Sequence, residues 1–255
     1  MREYYLAEKL KNRHTSAGKL IWIMPLFTIC AAAGLTMDYF TIDCYNWWYI
    51  TMFPGMTAFL CAAVGDRDKK MGNQAIWTLP ANIGNVWDGK VLYGVRGMGI
   101  SLLVLIGAVL VVSTGMEQIL HMTFRISLTP GQQLFAILVL FAVSLWQIPF
   151  CLFLQQIIGT FPMLLLHLGF YILCGVNLSL KPYFMILPGG IAPRLMCIIL
   201  KILPNGLVAE PGSLTFSPEL LQWKVLPPGI AVSILWFFLF WGLGRKWFER
   251  KVENG

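Results

Sequence analysis

The side chains that most often perform chemistry in proteins are few in this sequence and far apart. The three histidines are His14, His121 and His167, and no Cys or His spacing resembles a metal site. The chain also lacks the phosphate-binding motif GxxxxGK(S/T), the zinc motif HExxH and the nucleophile motif GxSxG. His167 lies in an apolar run, where it can relay protons or, more often, bond to a neighbouring helix. We therefore expect a non-catalytic chain without a metal or cofactor of its own.

A group of residues within 65–90 suits docking to another protein. A charged patch is followed there by large apolar side chains that a water-facing loop has little reason to display. The candidate docking residues are Arg67, Lys69, Lys70, Trp77, Leu79, Pro80, Ile83 and Trp87. A helix in this segment would be short, with Pro80 near its start. The alternative is that the two tryptophans lie back on the membrane surface, where aromatic side chains are enriched.

A second group combines acids with aromatic side chains close together in the sequence. It consists of Asp38, Asp43, Trp47 and Trp48. This combination suits a mouth that recognises a cationic amphipathic peptide. The alternative, which the sequence alone favours, is a solvated edge followed by an aromatic belt.

The elements that must position these residues are membrane-spanning helices. Hydrophobic residues make up 57% of the 255 residues and charged residues 12%, whereas soluble domains carry about 25% charged residues. Apolar windows near the ~20 residues that cross a bilayer recur along the chain. They cover residues 20–37, 46–64, 91–113, 133–154, 157–177 and 226–244, with a turn at Gln155–Gly159 between the fourth and the fifth. The sequence predicts an all-α integral membrane protein with six spans in a single domain.

The distribution of Lys and Arg predicts the orientation. Basic residues cluster before the first span, between the second and third, and after the sixth, whereas residues 38–45 contain none. Both termini are therefore expected in the cytoplasm of a cell whose plasma membrane holds the chain, with residues 65–90 cytoplasmic and 178–225 external. The net charge of +7 comes from basic residues beside apolar runs, a pattern that indicates membrane topology and contact with anionic lipid. The sequence outside the spans contains no basic stripe with interleaved aromatics, so a nucleic-acid partner is not expected.

Two shorter helices are expected beside the spans. The N-terminal stretch mixes tyrosine and leucine with bases, which is typical of an interfacial amphipathic helix or of a plain basic flank. In the stretch APRLMCIILKIL, Arg194 and Lys201 are seven residues apart, which places them on one helical face. We expect a helix lying on the outer surface. Cys44 and Cys197 fall in predicted external segments and can pair or, as the sequence favours, remain free thiols.

Charge inside the predicted spans is limited to Arg96, close enough to the cytoplasmic edge to snorkel. Transporters driven by ions usually carry ionisable groups near the midplane. Any energy for transport is therefore expected from a separate subunit.

Four segments, taken in order, resemble the permease subunits of lantibiotic-immunity ABC transporters of the MutE/EpiE (LanE) type. They are EKLKNRHTSAGKLIWIMPL, YNWWYITMFPGMTAFLCAAV with the DRDKK that follows, LWQIPFCLFL, and PRLMCIILKILPNGL. Together they cover nearly the whole chain. Each is a membrane motif of moderate specificity, and their combination is more specific than any one of them.

The resemblance implies an ABC-2-type permease of six transmembrane helices that exports a lantibiotic peptide. It also implies a second permease of the LanG type and two copies of a LanF-type ATPase, which binds ATP and Mg. The N-terminal helix would be an interfacial elbow and residues 65–90 the coupling element. Two alternatives stay open: an ABC-2 permease for a lipid, drug or other antimicrobial peptide, and an immunity protein that sequesters peptide by itself.

Overall fold

The structure is a computed structural model that describes residues 1–13, 15–70 and 82–253. The described part of the chain is mostly helical and contains no strand, and an isolated bridge pairs Ile202 with Val208. The described ranges contain ten α-helices, in order: α1 Arg2–Lys11, α2 Ser16–Leu35, α3 Phe40–Trp47, α4 Phe53–Lys70, α5 Ile83–Ile119, α6 Pro130–Ser144, α7 Gln147–Ile158, α8 Thr160–Val176, α9 Ile191–Leu200 and α10 Leu226–Glu253.

Six helical segments in the described ranges are long and apolar enough to cross a membrane, as the sequence predicts. They are Gly18–Leu35, Met37–Asp68, Ile83–Ile119, Pro130–Ile158, Thr160–Leu180 and Trp223–Lys251. Two of them combine shorter helices: α3 continues into α4, and α6 into α7. The fourth and fifth meet at Gly159, whose φ of 87° is favourable only for glycine and turns the chain back.

The connection expected over residues 38–45 is itself helical, which corrects the sequence prediction. The chain turns at Thr36, passes through a 3₁₀ turn at Met37–Tyr39 and continues as α3. Apolar side chains and the absence of Gly or Pro let the helix form, and Phe40, Ile42 and Cys44 are buried. A π-helical turn at Trp48–Met52 then leads into α4, just before Pro54. Because proline lacks the N–H of a regular helix, such an irregular turn accommodates it.

The ends of the spans form two groups. The end that holds the first and last described residues, Met1 and Glu253, is here called the terminal end. It contains α1, the end of α4, the start of α5, the α7–α8 turn and the last turns of α10. There the Lys251 ammonium donates to the carbonyl of Gln156 at 3.2 Å. At the opposite end, the Arg125 N–H donates to the carbonyl of Asp38 at 2.9 Å. The bundle therefore runs up and down between these two ends.

Helix α9 is buried inside the opposite end, and the prediction of a surface-lying helix is wrong. All ten of its residues are buried, and it packs against α6, α8 and α10. The amide of Gln132 donates to the carbonyl of Ile199 at 2.6 Å. Helix α9 ends at Leu200, and Lys201 adopts a left-handed conformation with φ 61°. Lys201 therefore does not extend the face that carries Arg194, and the remaining helix is apolar on nearly every side.

Arg194 makes the polar contacts that fix α9 in place. Its guanidinium donates to the carbonyls of Ser179, at 3.2 Å, and Glu219, at 2.9 Å. It also lies over the Phe184 ring, 5.1 Å from the ring centroid. One side chain thus joins the end of the fifth span to two turns of the segment between the fifth and sixth spans.

Replacing Arg194 with methionine is expected to lower the free energy of unfolding by roughly 2–3 kcal/mol, because hydrogen bonds to a charged donor are lost and two carbonyls lose their partner. Lysine should restore only part of this, since one ammonium lacks the planar fork that reaches both carbonyls. Thermal unfolding in a mild detergent measures the effect. The exposed Lys181 at the same end, changed to methionine, is the control. Equal stability of the Arg194 and Lys181 variants would contradict this role.

Candidate functional site at the terminal end

Four charged side chains meet at the terminal end, where α1 crosses α4 and α5. The Lys11 ammonium lies 2.9 Å from a Glu8 carboxylate oxygen and 3.1 Å from an Asp68 oxygen. The Lys90 ammonium lies 3.3 Å from the same Glu8 oxygen and also bonds to Asp68. These four residues are here called the ion cluster. Its two positive and two negative charges cancel.

Most of the ion cluster is shielded from water. Glu8, Asp68 and Lys90 are 2%, 4% and 1% exposed. Burial alone lowers the pKa of Lys11, but the carboxylates of Glu8 and Asp68 outweigh it and leave that pKa raised. Lys11 therefore stays charged at neutral pH. A buried charge is tolerated only when it is paired and hydrogen-bonded, so the four side chains depend on one another.

Close backbone packing adds to the contact between α1 and α5. A Cβ on Gly89 would lie 3.1 Å from the backbone of Tyr4, so this glycine lets the two helices approach closely. The Asn82 N–H donates to the Tyr4 hydroxyl at 3.2 Å. Arg96 donates to the Tyr5 hydroxyl, with its guanidinium 5.7 Å from that ring centroid. The N-terminal helix α1 thus contacts α5 over more than two turns of α5.

The candidate docking residues of 65–90 lie on helices wherever the structure describes them, which shortens the predicted loop. Helix α4 extends to Lys70 and α5 begins at Ile83. The Asn82 side chain caps α5 by accepting from the Asn85 N–H at 3.0 Å. Arg67 is exposed and Ile83 half-buried. Trp77, Leu79 and Pro80, and the side chains of Lys69 and Lys70, lie outside the described residues.

Trp87 is buried, which corrects the expectation that it is displayed for docking. It is 1% exposed and packs on Phe248 of α10, with ring centroids 5.6 Å apart. The space for its indole exists because residue 244 is glycine: a Cβ there would lie 2.3 Å from the Trp87 ring. Trp87 therefore joins α5 to α10, and the apolar character of the segment comes partly from helix packing.

The predicted mouth at the opposite end is only partly assembled. Asp38 is exposed, and Asp43 and Trp47 are half-buried on one face of α3. Trp48 is fully buried and stacks on Phe53 at 5.4 Å, so the structure removes it from the mouth. Its place after α3, at the π-helical turn, points it into the protein.

Cys44 and Cys197 form no disulfide, which agrees with the alternative that the sequence favours. Cys44 and Cys197 are free and buried. Burial raises the pKa of the Cys197 thiol to about 11, so it remains protonated at neutral pH.

His167 bonds to another helix, the more common of the two outcomes considered for it. Its Nε2 lies 3.2 Å from the Gln147 side-chain oxygen on α7. His14 lies outside the described residues, and His121 falls just after α5. In the described ranges no group of three or more His, Cys, Asp or Glu side chains is placed to hold a metal ion.

The ion cluster could not be located from the sequence, because Glu8, Asp68 and Lys90 lie in three separate segments. The spacing of Glu8 and Lys11, three residues apart on a helix, is the one local signal, and it is common on solvated helices. Comparison with protein-family models, with curated proteins and with solved structures found no match. What the arrangement itself offers is a mechanical connection: α1, α4 and α5 are held together on both sides of residues 71–81.

Proposed function

We propose that this chain is the permease subunit of an ABC-2-type exporter that gives a cell immunity to a lantibiotic by returning the peptide from the membrane to the medium. The observation that supports it best is the ion cluster. It joins the two helices that lead into and out of residues 71–81, the segment whose sequence contains the predicted docking residues Trp77, Leu79 and Pro80. A force applied to that connection would move α1, α4 and α5 together.

The motion would originate in a separate ATPase. ATP binding would close two LanF-like partner subunits, and the segment 71–81 with Arg67 and Ile83 at its borders would be the contact. The second span then transmits the displacement, because α3, the π-helical turn and α4 form one continuous helical segment from Met37 to Asp68. Its far end carries Asp43 and Trp47.

The peptide would enter at the opposite end. Asp38 and Asp43 supply negative charge for a cationic peptide, and the half-buried Trp47 supplies an apolar surface beside them. The assignment of the terminal end to the cytoplasmic side of the plasma membrane rests on its Lys and Arg residues. A LanG-like permease would complete the pore.

Immunity in living cells tests this proposal. Cells that express the chain with its partners are challenged with the lantibiotic, once with an intact ATPase and once with an ATPase whose phosphate-loop lysine is replaced. We expect the second strain to be as sensitive as cells without the transporter, although the chain is still inserted in the membrane. Full immunity without ATP hydrolysis would overturn the proposal and favour sequestration of the peptide.

A second arm tests the mouth. Replacing Asp38 and Asp43 with asparagine should reduce immunity. The amount of inserted protein should stay unchanged, because Asp38 is exposed and Asp43 is only half-buried. The exposed Glu219, changed to glutamine at the same end, is the matched control. Equal immunity in both variants would exclude the two aspartates from peptide recognition.

A further inference from the structure

A cavity of about 340 Å³ opens between α1, α2 and α5 at the terminal end. Four bases line it: Lys9, Arg13, Lys19 and Arg96. No acidic side chain is among the described residues that form its wall. A concave site with four positive charges and no negative one attracts an anion.

The nearby acids do not neutralise these bases. Glu8 and Asp68 are committed to Lys11 and Lys90 within the ion cluster. Arg13 and Lys19 are exposed and form no ion pair in the part of the chain that the structure describes. Their charges are therefore available to a ligand.

The position of the cavity indicates what kind of anion would fit. Gly18 belongs to its wall and is also the first residue of the first span, so the cavity lies at the edge of the apolar zone. Ile21 and Ile100 form its apolar side. Next to them Trp22 and Ile23 are 55% and 54% exposed and face the surroundings of the bundle. A ligand here meets positive charge at one end and apolar surface at the other.

The start of α2 contributes in the same direction. Thr15 caps this 20-residue helix by accepting from the Gly18 N–H, and both residues line the cavity. The positive end of the helix dipole therefore adds to the field of the four bases.

We propose that this cavity binds the headgroup of an anionic phospholipid, with the phosphate among Arg13, Lys19 and Arg96 and the acyl chains along the exposed face of α2. Basic pockets between membrane helices hold anionic headgroups in this way. The site is separate from the peptide mouth and does not depend on the proposed transport function.

Native mass spectrometry of the full chain in mild detergent tests the site, with phosphatidylglycerol and phosphatidylcholine of the same acyl chains as probes. The test variant is Arg13→Gln with Lys19→Gln. Each base near an anionic membrane surface strengthens binding about fivefold, so the double variant should bind phosphatidylglycerol roughly 25-fold more weakly. The control is Lys246→Gln with Arg250→Gln, two exposed bases at the same end outside the cavity, which should leave binding unchanged.

Three outcomes would overturn the assignment. They are equal binding of phosphatidylglycerol by the double variant and the unaltered chain, equal binding of the two lipids by the unaltered chain, and binding of soluble glycerol phosphate as tightly as the lipid. The last would indicate a site for a free phosphate compound. Thermal unfolding checks that the variants are folded. If the Arg13→Gln, Lys19→Gln variant is unfolded, Lys9→Gln with Lys19→Gln replaces it.

Discussion

Replacing Lys90 with methionine is expected to lower the free energy of unfolding by about 3–5 kcal/mol, the usual cost of removing one partner from a buried ion pair. Lys90 bonds to both Glu8 and Asp68, and its side chain is 2% exposed. Without it the ion cluster holds two carboxylates against the single charge of Lys11. The surplus negative charge has little access to water, and α1 should separate from α5. Thermal and denaturant unfolding in a mild detergent measure the loss.

A second substitution distinguishes charge balance from simple loss of volume. Changing Asp68 to leucine in the Lys90→Met background leaves Glu8 and Lys11 as a neutral pair, 2.9 Å apart. The double variant should recover more than half of the lost stability, because buried ion pairs are often replaced by apolar residues at little cost. Arg67→Gln, an exposed position on the same helix, is the control. If the double variant is as unstable as the sum of the single ones, the account of the ion cluster is wrong.

Replacing Trp87 with alanine is expected to cost about 3–5 kcal/mol, the range for truncating a buried aromatic side chain. The indole fills the space between α5 and α10 and contacts Phe248. An exposed docking residue would behave differently, since its loss would weaken partner binding and leave the stability of the isolated chain unchanged. Unfolding of the purified chain, compared with capture of its partners, separates these two roles.

A change at residue 244 tests the same contact from the other side. Gly244→Leu should destabilise the chain by roughly 1–3 kcal/mol through overpacking, since a Cβ there already meets the Trp87 ring at 2.3 Å. Combined with Trp87→Ala, the leucine fills the vacated space, and the pair should be more stable than Trp87→Ala alone. Gly107→Leu is the control, because a Cβ at that position meets nothing within 4 Å. Additive losses in the double variant would show that the two residues do not touch.

The six spans could be predicted from the sequence, because the length and hydropathy of a membrane helix are local properties of the chain. The first and last residues of the spans were predicted less accurately. The second span begins at Met37, well before the predicted residue 46, since polar residues such as Thr41 and Asp43 still continue a helix when their neighbours pack. The sequence pattern reports average polarity and does not report which turns are capped or interrupted.

Burial was the property that the sequence predicted least well. Trp48, Trp87 and all of α9 were expected near the surface, and each is enclosed by helices distant in sequence. In a membrane protein both the lipid-facing and the protein-facing sides are apolar, so hydropathy cannot distinguish them. The ion cluster could not be predicted for a related reason: its four charged residues are ordinary in sequence and form a site only where three segments meet.

Co-purification most directly tests the central claim that this chain works as a permease coupled to a separate ATPase. The chain carrying an affinity tag is extracted from its native membranes in a mild detergent, and the proteins captured with it are identified by mass spectrometry. A tagged, unrelated six-span protein from the same membranes is the control. We predict that an ABC ATPase and a second six-span permease accompany this chain and not the control. Recovery of the chain alone, folded and in good yield, would contradict the claim.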